Sequence, residues 1–408
     1  MKRRHRESTR LGKGKTEKWF EKRGEYILLA LIFIIYFLLV FWYSSLIPLG
    51  KGVDEEAHFL YVEDVRDFKT LPILQVPHRG HYESHQPPLF YLLSLPIAFL
   101  GGENWRIWGR WFSSFIVAVA GFICYLAGKR LFGDNKTLYL GAPAFLLFLP
   151  GNIAISAGFT NDTLAQALFA LAIYFFIKKE ERNWLWAGIA TAGAILAKLN
   201  CMVLVPSALL VLILSLKSEE RDIVLRKFIF FLAPILLFSG WWFVRNKLLY
   251  GDFLGWRIFQ KAFDSSPHPS YFLEKGFSWG DYWKLVLITC YASFWTPLIK
   301  LRFLPWGYYF LPGVFSCLAF IGFLKWLKED ENNRLVLILI ALSFFFLFLS
   351  FLRFNLYFFE AQGRYLYPAL SAFALLFAGG LGRLNKLLLP IFIFYLLILA
   401  LASSSILY

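Results

Sequence analysis

Charge is scarce in this chain. Of its 408 residues only 17% are Asp, Glu, Lys or Arg, too few to clothe a soluble protein of this length, so an ordinary globular fold is excluded. Cysteine is scarce too. Cys124, Cys201, Cys290 and Cys317 stand singly in apolar stretches, so neither a disulfide framework nor a zinc-thiolate site is indicated and they read as small core residues. No internal repeat or low-complexity segment stands out, and no segment has the composition of a soluble domain. What the chain has is apolar surface: 58% hydrophobic and 20% aromatic residues, with a mean hydropathy of +0.56. Apolar runs of about 15 to 23 residues, separated by short charged loops, match helices that cross a hydrocarbon layer about 30 Å thick. The expected class is an all-α polytopic membrane protein.

The formal net charge is +15, but the basic residues are spread over loops between apolar runs. That pattern sets topology and gives no nucleic-acid surface. Residues 1–25 hold ten Lys or Arg against four Glu, which places the N-terminus in the cytoplasm as a disordered tail on an anionic leaflet. The run 26–47 lacks a small-residue cleavage site and is long enough to remain as a signal anchor. The next segment is then external. Residues 88–101 begin with paired prolines and would reach about 21 Å as a helix, short of a crossing, so they are expected to lie in the interface.

The remaining runs are 111–127, 138–157, 163–177, 184–198, 201–216, 228–244, 308–324, 335–352, 365–381 and 388–405, giving about eleven crossings with the first. Lys129, Arg130 and Lys136, then Lys178, Lys179 and Arg182, then Lys217, Arg221, Arg226 and Lys227 fall in loops of the cytoplasmic side on this topology, as the positive-inside rule requires. Lys198 and Asn200 interrupt one long apolar run, which is expected to fold as two short helices joined by a tight external turn. The external side then carries the first loop 49–109, the turn at Asn161-Asp162-Thr163, the loop 245–306 with an interfacial piece near 285–298, and the segment 353–364.

Four of the six histidines, and a crowd of acids, fall between Gly52 and Tyr91. Asp54, Glu55 and His58 would share one side of a helical turn, and His81, Glu83 and His85 would share one face of an extended segment. Two such clusters allow a divalent metal ion, with His58, Glu83 and His85 as ligands, or they are solvated loop residues. Asp162 either completes that site or caps the helix that follows. Arg110, Lys198, Arg245, Arg353 and Arg364 lie at external span ends, where a cation meets a lipid phosphate or snorkels to the interface; snorkelling suits Arg353 and suits Lys198 less, because Lys198 stands within a continuous apolar run. Carboxylates facing cations at membrane level suit transfer from a lipid phosphate. The phosphate is already a good leaving group, so one carboxylate base for an acceptor hydroxyl suffices, whereas glycosidases typically use two.

Val53-Asp54-Glu55-Glu56-Ala57-His58-Phe59, His85-Gln86-Pro87-Pro88-Leu89-Phe90-Tyr91, Gly109-Arg110, Thr160-Asn161-Asp162, Ala197-Lys198-Leu199, Trp241 to Asn246 with Tyr250-Gly251-Asp252, and Gly363-Arg364-Tyr365-Leu366-Tyr367-Pro368 occur in that order. The ordered set resembles the GT-C membrane glycosyltransferases, in the branch of the protein O-mannosyltransferases and lipid A aminoarabinose transferases, over nearly the whole chain from Tyr26. The resemblance implies a GT-C fold in a single membrane-embedded domain, 26–408, and a polyprenyl-phosphate-linked sugar as donor. It implies Asp54 as the acid-base residue, Glu55 as a positioning or metal-binding partner, Asp162 as the second external acid, and Arg110, Lys198 and Arg364 as cations that meet the donor phosphate; Arg245 joins these phosphate-binding candidates by its place at a span end. The chain departs from many relatives in ending directly after a span, with no soluble C-terminal domain, and no protein-binding domain lies between spans. A lipid or glycan acceptor is therefore expected over a protein. The expected location is the plasma (inner) membrane with the site external. A transporter or flippase of lipid-linked saccharides, or a ligase that moves a whole glycan, shares the lipid-phosphate logic; transporters tend instead to carry repeats and mid-membrane charges.

Overall fold

The computed structural model describes residues 2–298 and 302–407, with side chains from Arg23 onward. Helix α1 (Lys2–Leu46) runs unbroken out of the basic segment into the first apolar run. Its Lys, Arg and Glu are good helix formers and the first proline is Pro48, so the backbone expected as a disordered tail is helical. What the tail's side chains touch lies outside the described residues. Helix α2 (Glu55–Phe68) buries His58, Tyr61, Val62 and Val65, a helical stripe that lays it across the bundle end. Helix α3 (Leu89–Leu100) has 12 residues and is too short to cross.

Helix α4 (Trp105–Phe132) is followed by α5 (Lys136–Phe148) and α6 (Pro150–Ser156). The expected continuous span at 138–157 is in fact broken, with α5 and α6 bent by 62°. Pro150 has no N–H to continue the ladder, and it holds Leu149 extended at φ −65, ψ 117. Helices α7 (Asp162–Ile177), α8 (Glu181–Ala197) and α9 (Leu204–Ser215) follow. The long apolar run does divide at Lys198, which is extended at φ −157, ψ 126 before a 3-10 turn over Leu199–Val203.

Helix α10 (Arg221–Tyr250) stops at Gly251, whose φ of 81 gives the left-handed cap that glycine allows. The segment 245–306 then folds as α11 (Trp256–Ala262), α12 (Pro269–Glu274) and α13 (Trp279–Trp295); 299–301 lie outside the described residues. Helices α14 (Gly307–Glu329), α15 (Arg334–Asn355), α16 (Leu370–Leu384) and α17 (Leu388–Ser403) complete the chain. A 3-10 turn, Gly363–Ala369, leads into α16.

Among the described residues seven helices are long and apolar enough to cross a membrane, or up to eight if the bent pair is one span. That is fewer than the sequence pattern suggests, because α7 with 16 residues, α8 with 17 and the 199–215 piece are helical but short. The protein is a multi-pass membrane protein. Its most apolar window in 363–384 is 78% buried, against 28% in 23–46, so α16 is central and α1 faces lipid. Helix α7 packs on α4, α8 and the 363–369 turn. That packing brings the N-terminus of α7, the C-terminal end of α8 and the 363–369 turn together at one end of the bundle. The turn passes so close to α13 that a Cβ on Gly363 would lie 2.3 Å from the Phe294 amide nitrogen.

Candidate active site

The two acids that begin α2 face different ways. Asp54 is the N-cap, yet its carboxylate makes no cap bond, because the residue is left-handed at φ 55, ψ 10. A non-glycine residue there costs about 1 kcal/mol or more, and the result is a carboxylate turned off the helix axis. Its Oδ2 accepts from Arg364 Nη2 at 2.5 Å and its Oδ1 from the Tyr82 hydroxyl at 3.1 Å.

Glu55 points into the protein. It accepts from Arg110 Nε at 2.6 Å and Nη2 at 2.7 Å, and from the backbone amides of Gly50, Gly52 and Phe159. Both oxygens are saturated, so the expected grouping of Asp54, Glu55 and His58 on one side of a turn does not form.

An alternating chain of charge runs onward from Asp54. Arg364 also donates to Asp162 Oδ2 at 3.3 Å and, through Nε, to Gln362 at 2.7 Å. Lys198 donates to Asp162 Oδ1. Asp162 is 1% exposed; it is the first residue of α7, where a carboxylate also meets the positive end of the helix, and the N-cap is Asn161. The Tyr365 ring lies beside both cations, 5.4 Å from Lys198 Nζ and 5.2 Å from Arg364 Cζ. Extended Lys198 reaches Asp162 because α8 has already ended.

Asp54, Lys198 and Arg364 open onto a cavity of about 340 Å³. Tyr82, Glu83, His85, Gln86, Glu360 and Gln362 also line it. Trp256, Phe259 and Phe263 from α11 and its C-terminal end, and Leu347, Phe351 and Phe354 from α15, supply apolar lining beside these polar groups. Burial alone would raise the Asp54 carboxyl, but the guanidinium of Arg364 outweighs it and holds the group at about 2. His85 goes the other way: burial pushes it down to about 4. Its Nδ1–H donates to the Tyr82 carbonyl at 2.7 Å and its ring packs 4.9 Å from Phe259. Burial also raises Glu83 and Glu360, and lowers His58.

Residues 84–242 match the family model for dolichyl-phosphate-mannose-protein mannosyltransferase. Among solved structures, ArnT from Cupriavidus metallidurans bound to undecaprenyl phosphate is similar, with 16% identity and a TM-score of 0.56, covering 87% of this chain and 60% of that one. The apo oligosaccharyltransferase of Archaeoglobus fulgidus gives 14% identity and a TM-score of 0.63, covering 95% of this chain and 56% of that one. The protein has the GT-C fold. Another structure of the same fold is AglB from Archaeoglobus fulgidus with an inhibitory peptide and a dolichol-phosphate, at 13% identity and a TM-score of 0.56, covering 95% and 56%. The GT-C chain described here thus spans less than two thirds of the length of these neighbours. No curated protein matches it.

One GT-C neighbour, again the Archaeoglobus fulgidus oligosaccharyltransferase, is crystallised with Zn and sulfate. In this chain the expected ligands His58, Glu83 and His85 do not fit a three-ligand metal centre: among the described residues no three His, Cys, Asp or Glu side chains converge on one point. Residues 82–85 form a 3-10 turn and not the extended segment that would put His81, Glu83 and His85 on one face, so His81 swings out to Asp64 at 2.8 Å while His85 faces the phenylalanines. His58 Nδ1 is taken by the Tyr91 hydroxyl at 2.9 Å. Glu83 Oε2 is buried without a hydrogen-bond partner.

Two of the expected phosphate cations are also elsewhere. Arg110 gives its donors to Glu55 and to the carbonyls of Ser44, Ile47 and Pro48, behind the cavity wall. Arg245 donates to the Pro72 carbonyl at 2.8 Å and lies over Trp242, so it straps residues near 72 to α10. Both sit at span ends like Lys198 and Arg364, and only tertiary packing tells the two kinds apart. Residues that the sequence pattern did not single out are Tyr82, Glu360, Gln362 and the aromatic wall of α11. Glu360 had a signal: it is an isolated acid between apolar spans. Asn355 clamps its backbone, accepting from its N–H at 3.0 Å.

Proposed function

We propose that the protein is an integral membrane glycosyltransferase that moves a sugar from a polyprenyl-phosphate donor to a lipid or glycan acceptor on the external face of the plasma (inner) membrane. The observation that carries this reading is one cavity whose lining joins Asp54, Arg364 and Lys198 with aromatic and aliphatic side chains. Such a cavity suits a substrate that is sugar and phosphate at one end and isoprenoid at the other. The match to mannosyltransferases and the fold of neighbours bound to undecaprenyl phosphate or dolichol-phosphate support it.

In this mechanism Asp54 takes the proton of the acceptor hydroxyl as its oxygen attacks the anomeric carbon. The bond from that carbon to the phosphate oxygen breaks, and Lys198 and Arg364 stabilise the charge gathering on the departing phosphate. A phosphate that draws Arg364 also loosens its hold on Asp54, which makes the carboxylate a better base when donor is bound. Asp162 keeps both cations aimed, and Tyr82 fixes the Asp54 rotamer. Glu55 and Arg110 act at a distance, by holding the left-handed turn that presents Asp54. The test is transfer by the purified protein in nanodiscs from a panel of polyprenyl-phosphate sugars, with product masses read by mass spectrometry. One added sugar supports transfer of a monosaccharide; an added oligosaccharide favours the ligase; uptake without a new covalent product removes the enzyme.

The pH profile gives a further prediction. Asp54 at about 2 stays ionised across the working range, so it adds no acid limb to kcat/KM near neutrality. In Arg364→Gln the largest lowering cause is gone, leaving His58 and the Tyr82 hydroxyl, while burial still raises the group. The residual activity should then fall, as pH drops, at a higher pH than in wild type. An unmoved acid limb in this variant would exclude Asp54 as the base.

A further inference from the structure

We infer that Arg353 receives the phosphate of the lipid-linked donor in the cavity; this rests on the donor class proposed above. Formal charges in the ion-paired chain on and behind the cavity wall already cancel. Lys198 and Arg364 stand against Asp54 and Asp162, every one of the four in an ion pair, and Glu83 and Glu360 can only add negative charge. A phosphodiester brings one more negative charge, and an unpaired cation beside Lys198 and Arg364 balances it without stripping Asp54 or Asp162 of its partner.

Among the described residues that line the cavity, Arg353 is the cation with no ion-pair partner. Its guanidinium lies 5.9 Å from the centre of the Trp256 ring, a face that holds an arginine in place while leaving its N–H donors to a ligand. The position fits a lipid phosphate in a second way. Arg353 is in the last turn of α15, and Phe351 and Leu347 line the same cavity below it. At 1.5 Å per residue Leu347 lies about 9 Å deeper along the helix. A phosphate on Arg353 therefore leaves an isoprenoid tail on the apolar wall and points its sugar at Asp54. Simple snorkelling, as expected from the sequence, would aim the side chain at bulk headgroups and not into a cavity.

The test is equilibrium binding of undecaprenyl phosphate to the full chain in phosphatidylcholine nanodiscs, with undecaprenol as the neutral control. Arg353→Gln should weaken undecaprenyl phosphate about tenfold, Arg353→Lys should restore part of the loss, and undecaprenol should bind both proteins alike. Equal affinity of wild type and Arg353→Gln for the phosphate would overturn the assignment, as would an equal loss for undecaprenol, which would mean packing alone. If phosphatidylglycerol in the nanodisc erases the difference, Arg353 serves bulk anionic lipid and the assignment fails. Wild type that binds undecaprenol but not its phosphate would sink the donor class itself, and this inference with it.

Discussion

Asp54→Asn should lower sugar transfer by about a hundred- to ten-thousandfold, the range that a positioned general base supplies, while leaving the protein folded. Asn is nearly isosteric, tolerates the left-handed backbone at φ 55, and its side-chain oxygen can still accept from Tyr82. What it loses is the negative charge and the ability to take a proton. Arg364 keeps its contact with Asp162, so no buried cation is stranded. The loss should fall on kcat with KM for the donor changed little, because an interaction made only as the proton moves does not strengthen the ground state. Turnover within tenfold of wild type, or a loss confined to KM, would remove Asp54 from the chemistry. Melting in detergent within a few degrees of wild type is the accompanying control.

Element positions were largely legible in the sequence because hydrophobic runs and the basic loops between them follow from the cost of burying charge in lipid. The break at Lys198 was legible for the same reason, since an ionisable residue inside an apolar run needs a partner. What the sequence left open was direction. Asp54 and Glu55 are neighbours, equally acidic and equally close to the first span, yet one faces a cavity and the other a buried arginine. The difference lies in a left-handed φ and in amide groups brought from Gly50, Gly52 and Phe159, of which only the last is distant in sequence. Arg110 and Arg364 differ in the same way: one lies behind Glu55 and one beside Asp54. The bend at Pro150 and the 3-10 turn at 82–85 were missed because apolar composition and alternation do not report hydrogen-bond phase.

Breaking the Glu55–Arg110 pair should have the largest effect on folding. The two side chains are 0% and 7% exposed and joined by two short parallel bonds, so removing one partner leaves a buried charge with no counter-ion. Such a loss costs about 3 to 5 kcal/mol. Arg110→Met should melt at least several degrees lower than wild type in the same detergent, and Glu55→Gln should do the same, since Gln can accept one of the guanidinium bonds but carries no charge. The double variant, Glu55→Gln with Arg110→Met, should recover part of the loss, because neither charge remains. If the two single losses simply add, the pair is not coupled and Glu55 is free for another task. The same variants separate structure from chemistry at the neighbouring residue. Glu55 anchors the turn that holds Asp54 left-handed, so whatever fraction of a single variant remains folded should show lower kcat without the shifted acid limb expected of Arg364→Gln. A shifted limb in Glu55→Gln would mean that Glu55 acts on the Asp54 proton directly, and the division of labour between these two adjacent acids would have to be redrawn.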